Sequence, residues 1–194
     1  MFFEKLKFTL PILAINNYVV VPFGIFITAY VYGYEIGTSI EEMPSFTVHV
    51  LQICFMVLCE DFMSYWAHRA FHHPYLYKNI HYIHHKYKET LSFGAEIAHP
   101  IEFYVVNLMP LMLGSFILGK HTHFVTKGVF TVLRIIETME GHSGYDFPWA
   151  ISRFIPLSCT SEFHDYHHRT NKGNYATFFI MWDTLCGTNQ TYYQ

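Results

Sequence analysis

Three histidine clusters constrain the fold of this chain more than any other feature of its sequence. They are His68-Arg-Ala-Phe-His72-His73, His81-Tyr-Ile-His84-His85 and His164-Asp-Tyr-His167-His168. An α-helix repeats every ~3.6 residues, so histidines three and four positions apart share a face, and on a helix each cluster directs two or three imidazoles the same way. Together the nine histidines of the three clusters exceed the roughly four to six ligands that one transition metal accepts. The clusters therefore predict a pair of metal ions.

Long apolar segments flank and separate these clusters. Hydrophobic residues make up 52% of the chain and charged residues 14%, against roughly 25% charged residues in an average soluble protein. Four apolar segments cover residues 10–34, 46–66, 103–118 and 123–136. The first two reach the ~20 residues that cross a bilayer, whereas the last two are short and are expected to form a hairpin. We therefore expect a single all-α domain over residues 1–194, a polytopic membrane helix bundle of about four spans or two hairpins.

The charged residues between the segments predict the orientation of the bundle. The loop between the first two segments carries Glu35, Glu41 and Glu42 without lysine or arginine, whereas the stretches that hold the histidine clusters carry most of the basic residues. By the positive-inside rule, these stretches and both termini are cytosolic. Because the chain goes out and back between the second and third clusters, the clusters meet as a cytosolic, helical, histidine-rich cap. The start shows no cleavage site, so the first segment is expected to remain as an anchor.

Three residues outside the clusters are further candidates for the site. Asp61 precedes His68 by two helical turns, and its carboxylate could accept the second ring N–H of that ligand. His142 follows the fourth segment and is an additional ligand candidate, and His99 precedes the third segment as a ligand or a wall of the site. The remaining histidines lie towards the opposite face or within a span and are interpreted as structural: His49, His121 and His123.

The sequence argues against several other classes of protein. The net charge of −3 comes without a basic run, so nothing indicates nucleic-acid binding. The four cysteines show no C-x-x-C spacing, and neither a G-x-S-x-G nor a G-x-G-x-x-G motif is present. A hydrolytic zinc enzyme is also disfavoured, because such a site needs only about three protein ligands and these clusters contain many more histidines. An almost all-imidazole pair of metals beside a membrane instead suits activation of O₂ against an unactivated C–H bond of a lipid.

Motifs around the clusters give a more specific indication. They include Ala95-Glu-Ile-Ala-His-Pro100, Glu137-Thr138, His142-Ser-Gly-Tyr-Asp146, Gly173-Asn-Tyr-Ala176 and Trp182-Asp-Thr-Leu-Cys-Gly-Thr188. With the histidine clusters they resemble the fatty acid hydroxylase/sterol desaturase superfamily over residues 41–188, and the first and third motifs are most similar to its C4-methylsterol monooxygenase branch. The chain departs from that pattern at Met181 and Cys186, where relatives often have aromatic residues, and their longer N-terminal region is expected to be absent.

The resemblance implies a multi-pass enzyme of the endoplasmic reticulum membrane whose non-haem di-iron centre faces the cytosol. It would use O₂ and electrons from cytochrome b5 and an NAD(P)H reductase to oxidise the 4-methyl group of a sterol. The expected ligands of the two iron ions are His68, His72, His73, His81, His84, His85, His142, His164, His167 and His168, with Asp61, His99 and Glu137 beside them. Basic residues that could dock an acidic electron carrier are Lys86, Lys88, Arg153, Arg169 and Lys172.

Two kinds of alternative stay open at this point. The first is a different reaction on the same scaffold: a sterol desaturase, a sterol side-chain dealkylase or a fatty-acid hydroxylase, which the same metal ligands would serve. The second is a non-catalytic membrane subunit with a structural metal. The complete histidine clusters favour an enzyme over such a subunit.

Overall fold

The computed structural model describes residues 2–31, 33, 35–88 and 91–193, with only the backbone for Phe2–Lys5 and Val31. The described residues form α-helices joined by short 3₁₀ and π turns, without a β-strand among them, which confirms the expected all-α class. The α-helices are α1 (Phe2–Ile15), α2 (Val21–Phe26), α3 (Phe46–Phe71), α4 (Pro74–Asn79), α5 (Pro100–Glu102), α6 (Met109–Leu118), α7 (Phe124–Gly141), α8 (Ser161–Thr170) and α9 (Met181–Cys186).

Three helical stretches are long and apolar enough to cross a membrane: Leu6–Tyr30, Phe46–Phe71 and Pro100–His121. The third is longer than the sequence predicted, because the π turn Phe103–Leu108 joins α5 to α6 without a break. At a rise of ~1.5 Å per residue, such a stretch matches the ~30 Å hydrocarbon layer. The chain is therefore a helical membrane protein.

The fourth apolar segment is α7, which has 18 residues and crosses back along the bundle. Its inner face buries Phe130, Arg134 and Glu137, whereas Val132 and Ile136 on its outer face are exposed. Polar groups turned inward and apolar groups turned outward are typical of a helix that faces lipid. The inward charges explain why α7 is not apolar enough to be counted with the other three stretches.

Close packing of α3 against α6 holds the middle of the bundle together. Gly114 on α6 lies against Met56 on α3, and a Cβ atom at Gly114 would come within 2.6 Å of the Cα atom of Met56. Small residues of this kind let two membrane helices approach closely, where dispersion forces and not the hydrophobic effect drive their association.

The turns fix which helix ends lie together. Gly37, in the loop before α3, donates its backbone N–H to the carbonyl of Thr122 at 2.8 Å and accepts from Phe124 at 2.9 Å, so this loop is bonded to the α6–α7 turn. His123 caps α7 at the same end, through an Nδ1 atom that accepts from the N–H of Val125. The C-terminus of α3 and the start of α5 therefore lie at the other end, where the histidine clusters meet.

This arrangement predicts that the histidine end and the α6–α7 turn lie on opposite sides of the membrane. A protease-cleavable tag inserted between Gly119 and Lys120 should be protected in sealed microsomes, because the positive-inside rule puts the basic histidine end in the cytosol. A tag at the C-terminus should be cleaved in the same vesicles. Cleavage of both tags, or protection of the C-terminal one, would contradict this topology.

Candidate metal centre

Nine histidines meet in two adjacent groups at one end of the bundle. The first group, called group one, contains His68, His72, His81, His85 and His167; the second, group two, contains His84, His142, His164 and His168. Within each group the potential ligand nitrogens all lie within 4.8 Å of one another. The rings of His85 and His168 connect the groups, with centroids 4.6 Å apart.

The histidine clusters do not each serve one group. His68 and His72 sit at the C-terminal end of α3 and both join group one, but the second cluster lies on a 3₁₀ turn, His81–Lys86, and divides between the groups. The third cluster, on α8, divides in the same way, with His167 in group one. In each cluster, two histidines four positions apart nevertheless share a group, as their spacing predicts: His68 with His72, His81 with His85, and His164 with His168.

Distances between the ring nitrogens match those of ligands on a shared ion. In group one, Nε2 of His81 lies 2.9 Å from Nε2 of His72 and of His85. In group two, Nε2 of His164 lies 2.9 Å from Nε2 of His142. A metal–nitrogen bond is about 2.1 Å long, so two nitrogens at right angles on an octahedral ion are about 3.0 Å apart. The spacing therefore suits adjacent corners of an octahedral site.

Hydrogen bonds on the far side of three rings show which ring nitrogen carries a lone pair. The Nδ1 atoms of His68, His142 and His167 bond at 2.6–2.9 Å to the backbone carbonyls of Tyr175, Thr138 and Gly173 respectively. A carbonyl only accepts, so each Nδ1 carries the proton, and in a neutral ring Nε2 then has none. The Nε2 lone pairs of His68 and His167 both face into group one, where they repel each other unless a cation lies between them.

Burial keeps the rings neutral and leaves one candidate ligand nitrogen without a partner. Burial lowers the pKa of His142 to about 4, and it lowers the pKa of His164 and of His167 well below the usual value. Nε2 of His68 is buried and has no hydrogen-bond partner among the described residues. Unpartnered buried nitrogens are uncommon, and a metal ligand is a standard reason for one. The donor set therefore fits one transition-metal ion in each group.

The segment after α8 supplies the carbonyls that orient group one. Gly173 adopts a left-handed conformation with φ +66°, and a Cβ atom there would lie 2.0 Å from the carbonyl oxygen of Thr188. Asp183, fully buried on α9, accepts the backbone N–H groups of Tyr175 at 3.0 Å and Ala176 at 2.7 Å. The Gly-Asn-Tyr-Ala motif is thus the backbone support of two ligands.

The carboxylate that orients a ligand is Glu102, not Asp61. Asp61 accepts the backbone N–H groups of Phe178 and Phe179 and so ties the C-terminal segment to α3. Glu102, which is 2% exposed, accepts from Nδ1 of His81 at 2.6 Å. Glu102 was missed because the contact joins two separate segments, although a lone glutamate at the start of an apolar segment was a signal that could have drawn attention to it.

His73 and His99 lie outside both groups, because each caps a helix. The Nδ1 atom of His73 accepts from the N–H of Tyr75 at the start of α4, and that of His99 accepts from Ile101 at the start of α5. Each is followed by proline, which is favoured at the first position of a helix. The His-Pro pairs were therefore the sequence signal that separates these two histidines from the ligands.

A cavity lies between the histidines and the membrane helices, with about 120 Å³ accessible to the centre of a water molecule. Its lining includes His81 of group one and His84 of group two. Val106 and Leu111 add apolar walls. Glu137, the remaining predicted pocket residue, lines this cavity and is paired with Arg134, a partner that the sequence did not predict.

The fold and site define a helical membrane protein with two buried histidine groups that could each hold a metal ion. The chain belongs to the fatty acid hydroxylase family, whose model matches residues 53–188. It is 44% identical over 153 residues to the very-long-chain aldehyde decarbonylase GL1-11 of Oryza sativa subsp. indica, covering 77% of this chain and 56% of that protein. No solved structure gives a significant match.

Other relatives are named for sterol oxidation. The chain is 40% identical over 153 residues to methylsterol monooxygenase 2-2 of Arabidopsis thaliana, covering 77% of this chain and 56% of that protein. It is 36% identical over 165 residues to a C-4 methylsterol oxidase of Schizosaccharomyces pombe, covering 83% and 54% respectively. The chain thus spans a little over half the length of the curated relatives it matches.

The geometry predicts which histidines hold metal. His84→Ala and His167→Ala should each lower the iron content of purified protein from about two ions per chain to about one, since each removes a ligand from a different group. His73→Ala is the matched control, and it should keep the full metal content because His73 lies outside both groups. Elemental analysis after gel filtration measures this. An equal loss in the control, or no loss in both test variants, would refute the assignment.

Proposed function

We propose that this chain is a membrane-bound non-haem di-iron monooxygenase that oxidises the 4-methyl group of a sterol. The observation that carries the proposal is one cavity lined by histidines of both groups and walled by apolar side chains of the membrane helices. The relatives named for methylsterol oxidation support the choice of substrate. In the overall reaction, one oxygen atom of O₂ is inserted into a C–H bond and the other leaves as water, with electrons and protons supplied by a donor.

Two iron ions bound by the two groups would supply the activation of O₂. The protein's own part is to hold nine neutral imidazoles in place and to exclude water around them. Glu102 fixes the orientation and tautomer of His81, and the carbonyls of Tyr175 and Gly173 do the same for His68 and His167.

The cavity also suggests how a lipid reaches the site. Ile135 on α7 lines the cavity and is 45% exposed on the outer surface of the bundle. The cavity therefore approaches the lipid-facing surface at α7, which is a path for a substrate that enters sideways from the bilayer. This path favours a membrane lipid over a water-soluble substrate.

We further propose the endoplasmic reticulum as the location and cytochrome b5 with an NAD(P)H reductase as the electron source. Three of the five basic residues that could dock an acidic carrier already contact other groups: Lys86 lies over the ring of Phe8, Arg153 pairs with Asp146, and Arg169 pairs with Asp165. Lys88 and Lys172 are exposed on the histidine side. These two lysines are therefore the stronger candidates for contacts with an acidic carrier.

A second candidate function comes from the relatives named very-long-chain aldehyde decarbonylases, which are 44% identical to this chain. The substrate in their name, a very-long-chain aldehyde, is a flexible chain that ends in an aldehyde group. The same histidine groups and apolar walls would serve such a substrate, so the choice between the two candidates depends on the shape and polarity of the cavity.

Iron-loaded protein in lipid nanodiscs, with cytochrome b5, its reductase, NADH and O₂, should convert a 4-methylsterol to its 4-hydroxymethyl product. Mass spectrometry with ¹⁸O₂ should show one labelled oxygen in that product. His167→Ala is expected to abolish the conversion, whereas His73→Ala retains it. Cells that lack the gene should accumulate 4-methylsterols. An inert 4-methylsterol beside rapid consumption of a very-long-chain aldehyde would overturn the proposal in favour of the second candidate.

A further inference from the structure

Three charged side chains form a buried ion-pair cluster in the membrane part of the cavity. Arg134 donates from Nε to Oε2 of Glu60 at 2.6 Å and from an η nitrogen to Oε2 of Glu137. All three residues line the cavity and are at least nine-tenths buried. Charged groups inside a membrane helix bundle are costly, and they usually mark a functional site.

The guanidinium group of Arg134 is already hydrogen-bonded to two carboxylates. Besides its two ion pairs, its guanidinium carbon lies 4.7 Å from the centroid of the Phe178 ring, so the ring covers one face of the guanidinium. It is the only cationic side chain among the described residues that line the cavity. A free carboxylate on a ligand, such as that of a fatty acid, would therefore find no unpaired cation in this lining.

The cavity lining contains more carboxyl groups than cationic groups to pair with them. Four glutamates face a single arginine there: Glu60, Glu96, Glu102 and Glu137. In each of Glu60 and Glu137, only the Oε2 atom bonds to Arg134. Glu102 gives independent support, because its Oε2 atom is buried and has no partner among the described residues. The carboxylate oxygens paired with Arg134 accept hydrogen bonds, so this part of the lining is complementary to a neutral group that donates one.

We propose that Glu137, held in place by Arg134 opposite Glu60, accepts a hydrogen bond from a hydroxyl group of the lipid substrate. This proposal rests on the proposed function, from which it takes a lipid as the substrate. It adds the residue that recognises one end of that lipid. A hydroxyl is the neutral donor that a lipid ring or chain commonly carries. Because it is uncharged, it also enters an apolar cavity at a far lower desolvation cost than an ammonium group.

The position of Glu137 also limits where oxidation occurs. Glu137 precedes His142 of group two by five residues, or about 7.5 Å along a helix axis. The ring of His142 folds back towards α7, because its Nδ1 atom bonds to the carbonyl of Thr138 at 2.9 Å. A hydroxyl at Glu137 therefore places the nearby carbons of a rigid lipid beside the histidines. The carbon oxidised lies a few bonds from the carbon that carries the hydroxyl, not at the far end of the molecule.

The test compares two ligands that differ only in this hydroxyl: a 4-methylsterol and its 3-deoxy analogue. Binding of each to iron-loaded protein in nanodiscs is measured by competition with a fluorescent sterol. Wild-type protein should prefer the hydroxylated ligand by about ten-fold or more, the size expected for a hydrogen bond to a charged acceptor. Glu137→Gln should reduce this preference several-fold, and Glu137→Met should abolish it.

Glu140→Gln and Glu140→Met are the matched controls. Glu140 lies one turn further along α7, is bonded to Ser152 at 3.0 Å and does not line the cavity, so its variants should keep the wild-type preference. Iron content and thermal unfolding confirm that each variant is folded. If Glu137→Met does not fold, Glu137→Gln decides the matter alone. An unchanged preference in a folded Glu137 variant, or no preference in wild-type protein, overturns the inference.

The same ligands separate this inference from the proposed function. If the protein binds the hydroxylated sterol preferentially through Glu137 but does not oxidise it, the proposed reaction fails and the hydroxyl site stands. If the 4-methylsterol is oxidised but the Glu137 variants keep the preference, the reaction stands and the hydroxyl site fails. Oxygen found on the sterol side chain would likewise refute the placement of the hydroxyl near the histidines.

Discussion

The whole site depends on hydrogen bonds that fix which nitrogen of each ring carries its proton. Carbonyls of Thr138, Gly173 and Tyr175 and the carboxylate of Glu102 hold the Nδ1 protons of four histidines. In group one, the Nε2 lone pairs of His68, His81 and His167 are therefore turned towards one another inside a buried, neutral cluster. Such an arrangement is electrostatically unfavourable without a cation, so these outer bonds prepare the cluster to bind a metal ion.

The membrane helices serve this cluster by placing its parts at one end of the bundle. The loop at Gly37 and the α6–α7 turn are bonded together at the opposite end, so α3, α6 and α7 alternate in direction. As a result, α7 delivers both His142 and the Arg134 ion pairs to the same cavity. The polar face of α7 that lowers its mean hydropathy is thus part of the site, and its apolar face meets the lipid.

The sequence predicted the helical class, the family resemblance and the set of histidines from which the two groups are drawn, because helical spacing and segment length are local properties. It did not predict how the histidines of the second cluster divide between group one and group two, because that division depends on a 3₁₀ turn over His81–Lys86 in place of an α-helix. The capping roles of His73 and His99 are local and could have been recognised from the following prolines. The pairing of Glu102 with His81 is a tertiary contact, which spacing alone does not contain.

Anomalous X-ray scattering at the iron edge tests most directly whether each histidine group holds one metal ion. A crystal of the iron-loaded protein should show two separate anomalous peaks, one surrounded by His68, His72, His81, His85 and His167 and the other by His84, His142, His164 and His168. Each nitrogen–iron distance should be about 2.1 Å. A single peak, or a peak bound by cysteine or by Asp61, would contradict the account.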